Sequence, residues 1–293
     1  MGTRTLLVAG ANGYLGRHVV KVASAQGWRV RALVRGGAER LGDVRPLVAE
    51  VHAGEATRPE TLAGLCHGVD AVFSSLGKHD FKRRPTAWDV DYAANANILR
   101  RAVEARVAHV VFVSVIQGRE LRERGVSSAA AREKVVDELV ASGLGYTVLR
   151  PTGFFNDMED FFRMARDGTA WLVGSGHSRM NPIHGADLAE EAVRCLEAGP
   201  GGQQLDVGGP DILSWEEMAQ AAFRALGRAP RVRRVPAGVV SALAPLVGVV
   251  NPFVADLMRA IAQMGQRDVV GRAVGTHHLE EHYRQLAGGS APP

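Results

Sequence analysis

The chain has 293 residues, of which 46% are hydrophobic and 23% are charged, and its formal net charge is +4. These values are ordinary for a folded globular protein and exclude a disordered or fibrous chain. Two cysteines are too few for a disulfide framework, and no basic face interleaved with aromatic residues indicates nucleic-acid binding. We expect a cytoplasmic protein, because the first apolar run has no secretory leader before it.

The first half of the chain alternates short apolar runs with amphipathic segments. The runs that predict strands are 3–10, 28–35, 47–54, 70–77, 109–115 and 146–151. The segments that predict helices are 14–27, 58–68, 87–107 and the stretch around Lys134. This alternation predicts an α/β fold, a Rossmann-type doubly wound parallel sheet with helices on both faces.

The second half keeps a looser alternation. It predicts helices at 157–167, 187–198 and 214–227, and strands at 169–173 and 203–207. We expect a nucleotide-binding core over 1–153 and a small C-terminal substrate lobe over 154–287. The lobe should pack on the carboxyl edge of the sheet, where such folds bind ligands, with parts of it returning to the sheet. Residues 288–293 predict a disordered tail.

The segment 235–255 contains no charged residue. Pro236, Pro245 and Pro252 interrupt it, and a helix interior tolerates proline poorly. The segment therefore predicts short packed helices. We do not expect membrane contact, and the alternative is an interfacial anchor instead of a span.

A glycine pattern, GANGYLG at 10–16, joins the first predicted strand to the first predicted helix. In this context Gly10 permits a tight turn, Gly13 lets the backbone approach a pyrophosphate, and Gly16 lets the helix pack on the strand. The helix N-terminus then offers unpaired N–H groups to the phosphates. The pattern predicts a dinucleotide cofactor.

The second predicted strand indicates which dinucleotide this is. An NAD site needs a carboxylate at the end of that strand, and residues 28–35 contain none. Arg35 occupies the strand end instead, with Arg40 close behind. Because a guanidinium suits a 2′-phosphate, the sequence predicts NADP(H).

Several phrases resemble a known family. GANGYLG, ALVR, HVVFVSV, AREKVVDELVASG, YTVLRPTGFF and NPIHGADLAEEAV are similar to the atypical branch of the short-chain dehydrogenase/reductase superfamily. That branch includes isoflavone-reductase-like enzymes, divinyl chlorophyllide reductases and nitrogen-metabolite-repression regulators. The resemblance covers about residues 4–285 and implies a Rossmann domain with a small substrate lobe.

The resemblance also implies site residues. The phosphate-loop contacts it implies are Gly10, Asn12, Gly13, Tyr14 and Leu15. Arg35 would contact the adenosine phosphate, and the fourth strand would place Ser74, Leu76 and Gly77 near the ribose and pyrophosphate. Ser114 would face the reaction site and Lys134 would hold the nicotinamide ribose. The residues that would back the nicotinamide ring are Pro151, Thr152, Gly153 and Phe154.

Lys134 raises the question of the proton donor. Most members of the superfamily use Tyr-x-x-x-Lys, but here Ala130 takes the tyrosine position, and no tyrosine has a lysine four residues later. Lys134 would be the acid or a proton relay, or the acceptor would need no strong acid, or catalysis would be lost. Lys134 would otherwise be an ordinary surface lysine. Ser114 would stabilise an oxyanion or merely cap a loop.

The lobe predicts an apolar substrate. Phe155 and Phe162 lie at helical spacing, and with Trp171 they would line a pocket, although such a stripe is more often core. His79 would close over the substrate or would be a surface loop residue. We expect no metal site, because His277 and His278 lack a ligand pattern.

These features predict an NADPH-dependent reductase of a hydrophobic C=C, quinone or carbonyl group. One alternative is a non-catalytic protein that senses NADP(H). Another is an isomerase or cyclase on the same fold. The sequence does not indicate the oligomeric state.

Overall fold

A computed structural model describes residues 4–289 and contains twelve strands within them. They are β1 (Thr5–Ala9), β2 (Arg29–Val34), β3 (Glu50–Ala53), β4 (Ala71–Ser74), β5 (His109–Val113), β6 (Gly145–Pro151), β7 (Ala170–Val173), β8 (Arg179–Met180), β9 (Gly202–Gly208), β10 (Leu213–Ser214), β11 (Val232–Val235) and β12 (Arg272–Ala273). Eight of them form one sheet in the order β12-β9-β6-β5-β4-β1-β2-β3. Neighbours from β1 to β6 pair in parallel, which confirms the predicted fold class.

The helices within the same residues cover the sheet and form much of the second half of the chain. They are α1 (Tyr14–Ala25), α2 (Asn95–Glu104), α3 (Gly118–Glu123), α4 (Ser127–Ala141), α5 (Phe155–Arg166), α6 (Gly185–Glu197), α7 (Trp215–Ala225), α8 (Ala237–Val250), α9 (Pro252–Met264) and α10 (Leu279–Ala287). A π-helix, Trp88–Ala94, leads directly into α2. Strands β1 and β5, in the interior of the sheet, are buried along their whole length, because helices shield both faces of a parallel sheet.

The chain divides into two compact units. The sheet unit contains residues up to Asp80, Arg84–Arg150 and Leu188–Leu205. The C-terminal unit contains Phe81–Arg83, Pro151–Asp187 and the residues from Asp206 onward. The core of the sheet unit lies between the sheet and α2 and α4, and includes Val72, Phe112 and Leu139.

Two sequence predictions about helices were wrong. The helix predicted at 58–68 is only a short 3-10 turn, Pro59–Leu62, because Gly64 and Gly68 adopt left-handed φ angles of +73° and +67°. The second prediction concerned 235–255, where the prolines were expected to interrupt the segment. Pro245 instead lies inside α8 and does not end it. No α-helix in residues 4–289 combines the length and the apolar character needed to cross a bilayer. The tail predicted at 288–293 lies outside the described residues from 290 onward.

Candidate functional site

The glycine loop between β1 and α1 has the geometry that its sequence predicts. Gly10 has φ +94°, and a Cβ there would lie 3.0 Å from Ser75 Oγ. A Cβ on Gly16 would lie 2.0 Å from the Gly10 carbonyl oxygen, so α1 packs on the loop backbone at contact distance. Gly13 precedes α1 and no side chain caps the helix. The unpaired N–H groups of the first turn therefore remain available to an anion.

The remaining loop residues divide between surface and core. Asn12 and Tyr14 lie at the accessible side of the loop, and the Asn12 carbonyl accepts a hydrogen bond from Arg17 Nε at 3.2 Å. The Tyr14 ring packs edge-on against His18, with centroids 5.4 Å apart. Leu15 is buried, so its side chain packs in the core and only its backbone can reach a ligand.

At the end of β2, Arg35 meets a carboxylate. Its side chain is exposed, and its Nε lies 3.6 Å from Oε2 of Glu55. Glu55 follows β3, which pairs with β2 in parallel, so the two strand ends lie side by side. Sequence reasoning examined only residues 28–35 for an acid and missed this one. Its position directly after the third predicted strand was the available signal.

The end of β4 is shaped by a buried hydrogen-bond network. The Ser74 hydroxyl donates to Asn95 Oδ1 at 2.6 Å, and Asn95 Nδ2 donates to the Leu76 carbonyl at 3.3 Å. Ser74 therefore fixes the loop and does not present its hydroxyl to a ligand. A Cβ on Gly77 would lie 1.9 Å from Nη2 of Arg132, so a larger residue at this position would require the guanidinium to move.

Arg132, on α4, is the cation that reaches the carboxyl ends of β4 and β5. Its Nη1 donates to the Val113 carbonyl at 2.8 Å, and its Nη2 lies 2.8 Å from Oδ1 of Asp91. Asp91 is buried and also accepts from the Lys78 backbone N–H at 3.2 Å. Burial raises the pKa of Asp91, and the Arg132 guanidinium opposes this rise. Sequence reasoning missed both residues, since an arginine and an aspartate in helices carry no motif.

The loop after β4 adds two more titratable side chains. Only 3% of the Lys78 side chain is exposed, and its ammonium group pairs with Asp80. His79 is exposed as a residue, yet desolvation of its ring and, next, the positive charge of Arg132 lower its pKa. Asp91 and Asp80 oppose that shift. At neutral pH the His79 ring is therefore mostly uncharged.

Lys134 does not join this cluster. Its side chain is 51% exposed, and its Nζ lies 3.6 Å from Glu138 Oε1, one helical turn further along α4. The same carboxylate oxygen accepts from the Tyr92 hydroxyl at 2.7 Å, which raises the pKa of Tyr92. The resemblance implied that Lys134 lies close to the reaction site. The structure corrects this expectation, because the side chain of Lys134 lies at the surface beside Glu138.

Ser114 lies in a buried polar network instead of at an open surface. Its hydroxyl donates to Glu133 Oε1 at 3.0 Å, and Arg150 binds the same carboxylate through both guanidinium ends, with Nη2 at 3.0 Å. Arg150 also donates to Gln204 Oε1 at 3.1 Å. Ser114 and Lys134, predicted to act together, therefore have different partners. Glu133, the neighbour of Lys134, is the side chain on α4 that reaches Ser114.

In the C-terminal unit, the residues that follow β6 have structural partners. The Thr152 hydroxyl donates to the Asn181 carbonyl at 2.5 Å, and the Gly153 carbonyl accepts from the Ile183 N–H at 2.8 Å. Phe154 precedes α5, and its N–H donates to Asp157 Oδ2 at 3.3 Å. Pro151 ends β6 and is buried.

The aromatic side chains predicted to bind substrate are mostly core. Phe155 is buried against His184 and His282, with ring centroids 5.5 and 5.4 Å away. Phe162 stacks on Tyr283 at 5.9 Å. The stripe is the buried face of α5, as helical spacing more often indicates. Trp171 is instead 52% exposed on β7.

A histidine–carboxylate pair in the C-terminal unit went unpredicted. His277 Nδ1 lies 2.7 Å from Oδ1 of buried Asp187, and the His277 ring stacks on His184 at 4.2 Å. Two segments that are 90 residues apart form this pair, so sequence gave no signal for it. Across residues 4–289, no group of three or more His, Cys, Asp or Glu side chains could hold a metal ion.

Comparison with known proteins adds to this geometry. A family model described as NAD(P)H-binding matches residues 10–198. The chain is 28% identical over 285 residues to the divinyl chlorophyllide a 8-vinyl-reductase of Arabidopsis thaliana, covering 91% of this chain and 67% of that protein. It is 27% identical over 240 residues to the photosystem II assembly factor Ycf39 of Guillardia theta, covering 79% of this chain and 73% of that protein.

A solved structure supports the fold. The NADPH complex of the NADPH-dependent quinone oxidoreductase from Escherichia coli matches with a TM-score of 0.75 and 18% identity, over 96% of this chain and 99% of that one. The first curated relatives are longer than this chain, which spans 62–67% of their length.

Proposed function

Because this chain belongs to the NAD(P)H-binding family, we propose that it is an NADPH-dependent reductase of a hydrophobic C=C, quinone or carbonyl group. The observation that carries the proposal is the glycine loop, where the crowding at Gly10 and Gly16 and the uncapped start of α1 fit a pyrophosphate. NADPH, when bound, supplies the hydride. Quinone and vinyl reductases among the similar proteins support this reaction class.

The residues of the sheet unit can be assigned along the carboxyl edge of the sheet. The loop from Gly10 to Leu15 holds the pyrophosphate, and Arg35 binds the 2′-phosphate. Arg132, at the ends of β4 and β5, takes the ribose-binding role that the resemblance gave to Lys134. Its guanidinium keeps its charge at every physiological pH, so it orients and stabilises charge but does not donate a proton.

The site favours an acceptor that needs little help from a protein acid. The Ser114 hydroxyl already donates to Glu133, and Lys134 faces away from the cluster. In this proposal the Arg132 guanidinium, which also pairs with Asp91, stabilises an anion that develops as hydride arrives, whereas the Lys78 ammonium is paired with Asp80. In this proposal His79, whose pKa is lowered by desolvation, relays a proton from water. A quinone or an enone, whose anion is delocalised, suits these residues better than an isolated ketone.

A second candidate is a protein that binds NADP(H) without turnover. It is favoured by the engagement of Ser114 with Glu133 and by the absence of a tyrosine at Ala130. The similarity to a photosystem II assembly factor, a name that describes assembly and not reduction, also favours it. This candidate predicts similar affinities for NADPH and NADP and no substrate-dependent loss of NADPH.

A cofactor titration tests the property that both candidates require, which is the binding of NADP(H). We expect purified protein to bind NADPH about tenfold more tightly than NADH, a difference of about 1.4 kcal/mol. Arg35→Ala should remove that preference, because it removes the guanidinium that pairs with the 2′-phosphate. Fluorescence titration with NADPH, NADP and NADH gives the affinities. If neither reduced cofactor binds, the reductase and the sensor proposals both fail.

A variant of Glu55, the carboxylate beside Arg35, is the counterpart of Arg35→Ala. We expect Glu55→Gln to strengthen NADPH binding roughly threefold, because the carboxylate beside Arg35 repels a 2′-phosphate and competes for the guanidinium. NADH binding should weaken or stay unchanged. Equal strengthening for both cofactors would contradict the placement of the 2′-phosphate beside Arg35.

Substrate turnover then separates the two candidates. NADPH oxidation is followed with a panel of quinones, enones and simple ketones at fixed protein concentration. Consumption that depends on a quinone or an enone supports the reductase. Tight NADPH binding with no consumption across the panel supports the sensor.

A further inference from the structure

Helix α8 turns an apolar stripe toward solvent. The exposed residues recur every three or four positions along the helix and are Val239, Leu243, Leu246, Val249 and Val250. Leu246 is 69% exposed and Val249 is 77% exposed. Helical spacing of this kind normally marks the face that a helix buries, yet α8 buries only Ala237 and Ala244.

The stripe is too continuous to be ordinary surface. Single exposed aliphatic side chains are common on soluble proteins, but a contiguous row indicates an interaction surface. No charged residue interrupts α8, and no Asp or Glu occurs from Arg231 to Ala255. We call the stripe of α8, with the tip at Asn251 and Pro252, the apolar face.

Basic side chains are held beside the tip of this face. Asn251 Nδ2 donates to the Phe81 carbonyl at 2.7 Å, and the Phe81 ring lies edge-on to Phe253, with centroids 5.7 Å apart. These contacts fix the exposed residues Lys82 and Arg83 next to the start of α9. Phe81 is itself 63% exposed.

The other end of α8 repeats this combination of charge and aromatic surface. β11 leads through Pro236 into α8, and its exposed Arg233 places its guanidinium 5.6 Å from the ring of Trp171. Arg231, one residue before β11, is also exposed. Exposed basic residues and an exposed aromatic ring therefore occur near each end of α8, Phe81–Arg83 at one end and Arg233 with Trp171 at the other.

We propose that the apolar face binds the surface of a phospholipid bilayer that carries anionic headgroups. The aliphatic side chains would enter the acyl boundary, and the flanking arginine, lysine and aromatic residues would lie at headgroup depth. The exposed basic residues of the flanks, with no Asp or Glu within residues 231–255, match an anionic surface and not a neutral one. A second copy of the chain would offer the same basic flanks and repel them.

The helix lies along the membrane and does not cross it. Its 14 residues span about 21 Å, and a bilayer core is about 30 Å thick. The sequence alone led us to expect no membrane contact, because prolines interrupt the segment. The structure changes that expectation, since Pro245 is accommodated within α8 and the apolar residues around it face solvent.

Vesicle flotation tests the proposal with the full chain and without cofactor. We expect binding to vesicles of phosphatidylcholine with phosphatidylglycerol, weak binding to phosphatidylcholine alone, and loss of binding as salt is raised. Leu246→Glu combined with Val249→Glu should reduce binding about tenfold or more, because carboxylates are costly among acyl chains. Both positions are exposed, so folding should be unaffected. Ile212→Glu, at a residue 50% exposed elsewhere in the C-terminal unit, is the matched control.

Three results would overturn the proposal. They are no flotation with anionic vesicles, equal flotation with neutral vesicles, and unchanged binding by the double variant. A dimer in solution that the double variant dissociates, without vesicle binding, would assign the face to a second copy. Arg83→Glu should weaken binding to anionic vesicles alone. NADPH titration of the same variants should match wild type, which keeps this test separate from the proposed reductase activity.

Discussion

Arg132 and Lys134 are two cations on one helix with different surroundings. The Arg132 guanidinium bonds the Val113 carbonyl and buried Asp91, whereas Lys134 pairs with Glu138 at the surface. Two residues along an α-helix turn a side chain by about 200°, so they face opposite sides. At the residue scale, then, helix phase decides which cation of α4 reaches the ends of β4 and β5.

This pair supplies a prediction with its own control. We expect Arg132→Ala to weaken NADPH binding roughly tenfold, since it removes the charged donor to which we assign the ribose-binding role. Lys134→Ala should change binding by less than about twofold, because exposed ion pairs contribute little. Fluorescence titration measures both.

Loss of Arg132 also leaves Asp91 buried without its partner, which destabilises the fold by about 3 kcal/mol or more. Thermal unfolding of each variant separates this effect from a loss of binding. Arg132→Lys, which keeps the charge, should recover part of the affinity. Equal NADPH affinities for Arg132→Ala and Lys134→Ala, with both variants folded, would refute the assignment of Arg132.

At the element scale, we expect the contact between the glycine loop and α1 to affect both stability and cofactor binding. A Cβ on Gly16 would overlap the Gly10 backbone, so α1 could not keep its position. Because we propose that the first turn of α1 binds the pyrophosphate, displacement of the helix would move the N–H groups assigned to that role.

We therefore expect Gly16→Ala to lower the free energy of unfolding by roughly 1–3 kcal/mol and to abolish measurable NADPH binding. Gly238→Ala, in the first turn of α8, is the control, because a Cβ there meets nothing within 4 Å. It should be neutral or stabilise by up to about 0.5 kcal/mol. Chemical denaturation and titration report the two properties. Wild-type behaviour of Gly16→Ala would contradict the close packing of loop and helix.

At the scale of the whole molecule, a buried histidine links stability to pH. His109 begins β5, its Nε2 lies 3.0 Å from the Thr147 hydroxyl, and its buried Nδ1 has no partner among the described residues. Desolvation lowers the pKa of His109. The unfolded chain therefore binds a proton below its ordinary pKa of about 6.5, whereas the folded chain resists it until a lower pH.

The stabilisation from neutral His109 is present above about pH 6.5 and is lost as pH falls toward the folded pKa. We expect the free energy of unfolding to decrease from pH 7.5 to pH 5.0, with a slope of at most about 1.4 kcal/mol per pH unit from this residue. His109→Gln should show a shallower decrease. Urea denaturation across this range measures both slopes. A variant with the wild-type slope would assign the pH dependence to other groups, such as His282, whose pKa desolvation also lowers.

Each of the two compact units is made of segments that are separated in the sequence. Leu188–Leu205 returns to the sheet unit, whereas Phe81–Arg83 leaves it for the C-terminal unit. Each unit has a buried carboxylate with its own polar partner, Glu133 with Arg150 in one and Asp187 with His277 in the other. The proposed cofactor contacts of the glycine loop, Arg35 and Arg132 lie in the sheet unit, and the proposed lipid contacts lie in the C-terminal unit, so variants can separate the two activities.

The amino-acid sequence by itself determined the fold class, the glycine loop and most elements to within a few residues. Periodicity and glycine placement are local signals, because the hydrogen bonds of one helix or turn join residues that are close in sequence. They predicted β1, α1 and the loop between them, and the family resemblance was confirmed by the match over residues 10–198. The helix expected at 58–68 failed because Gly64 and Gly68 ended it, although those glycines were visible in the sequence.

Only the tertiary structure decided which side chains meet. Glu55 approaches Arg35 because β3 pairs with β2, and Asp91 reaches Arg132 because the turn after β4 brings a π-helix against α4. His277 meets Asp187 across 90 residues of chain. The exposure of the apolar row of α8 was also decided only by the tertiary structure, since the spacing of that row by itself predicts a buried face. Contacts between distant residues depend on how elements pack, and no local pattern encodes that arrangement.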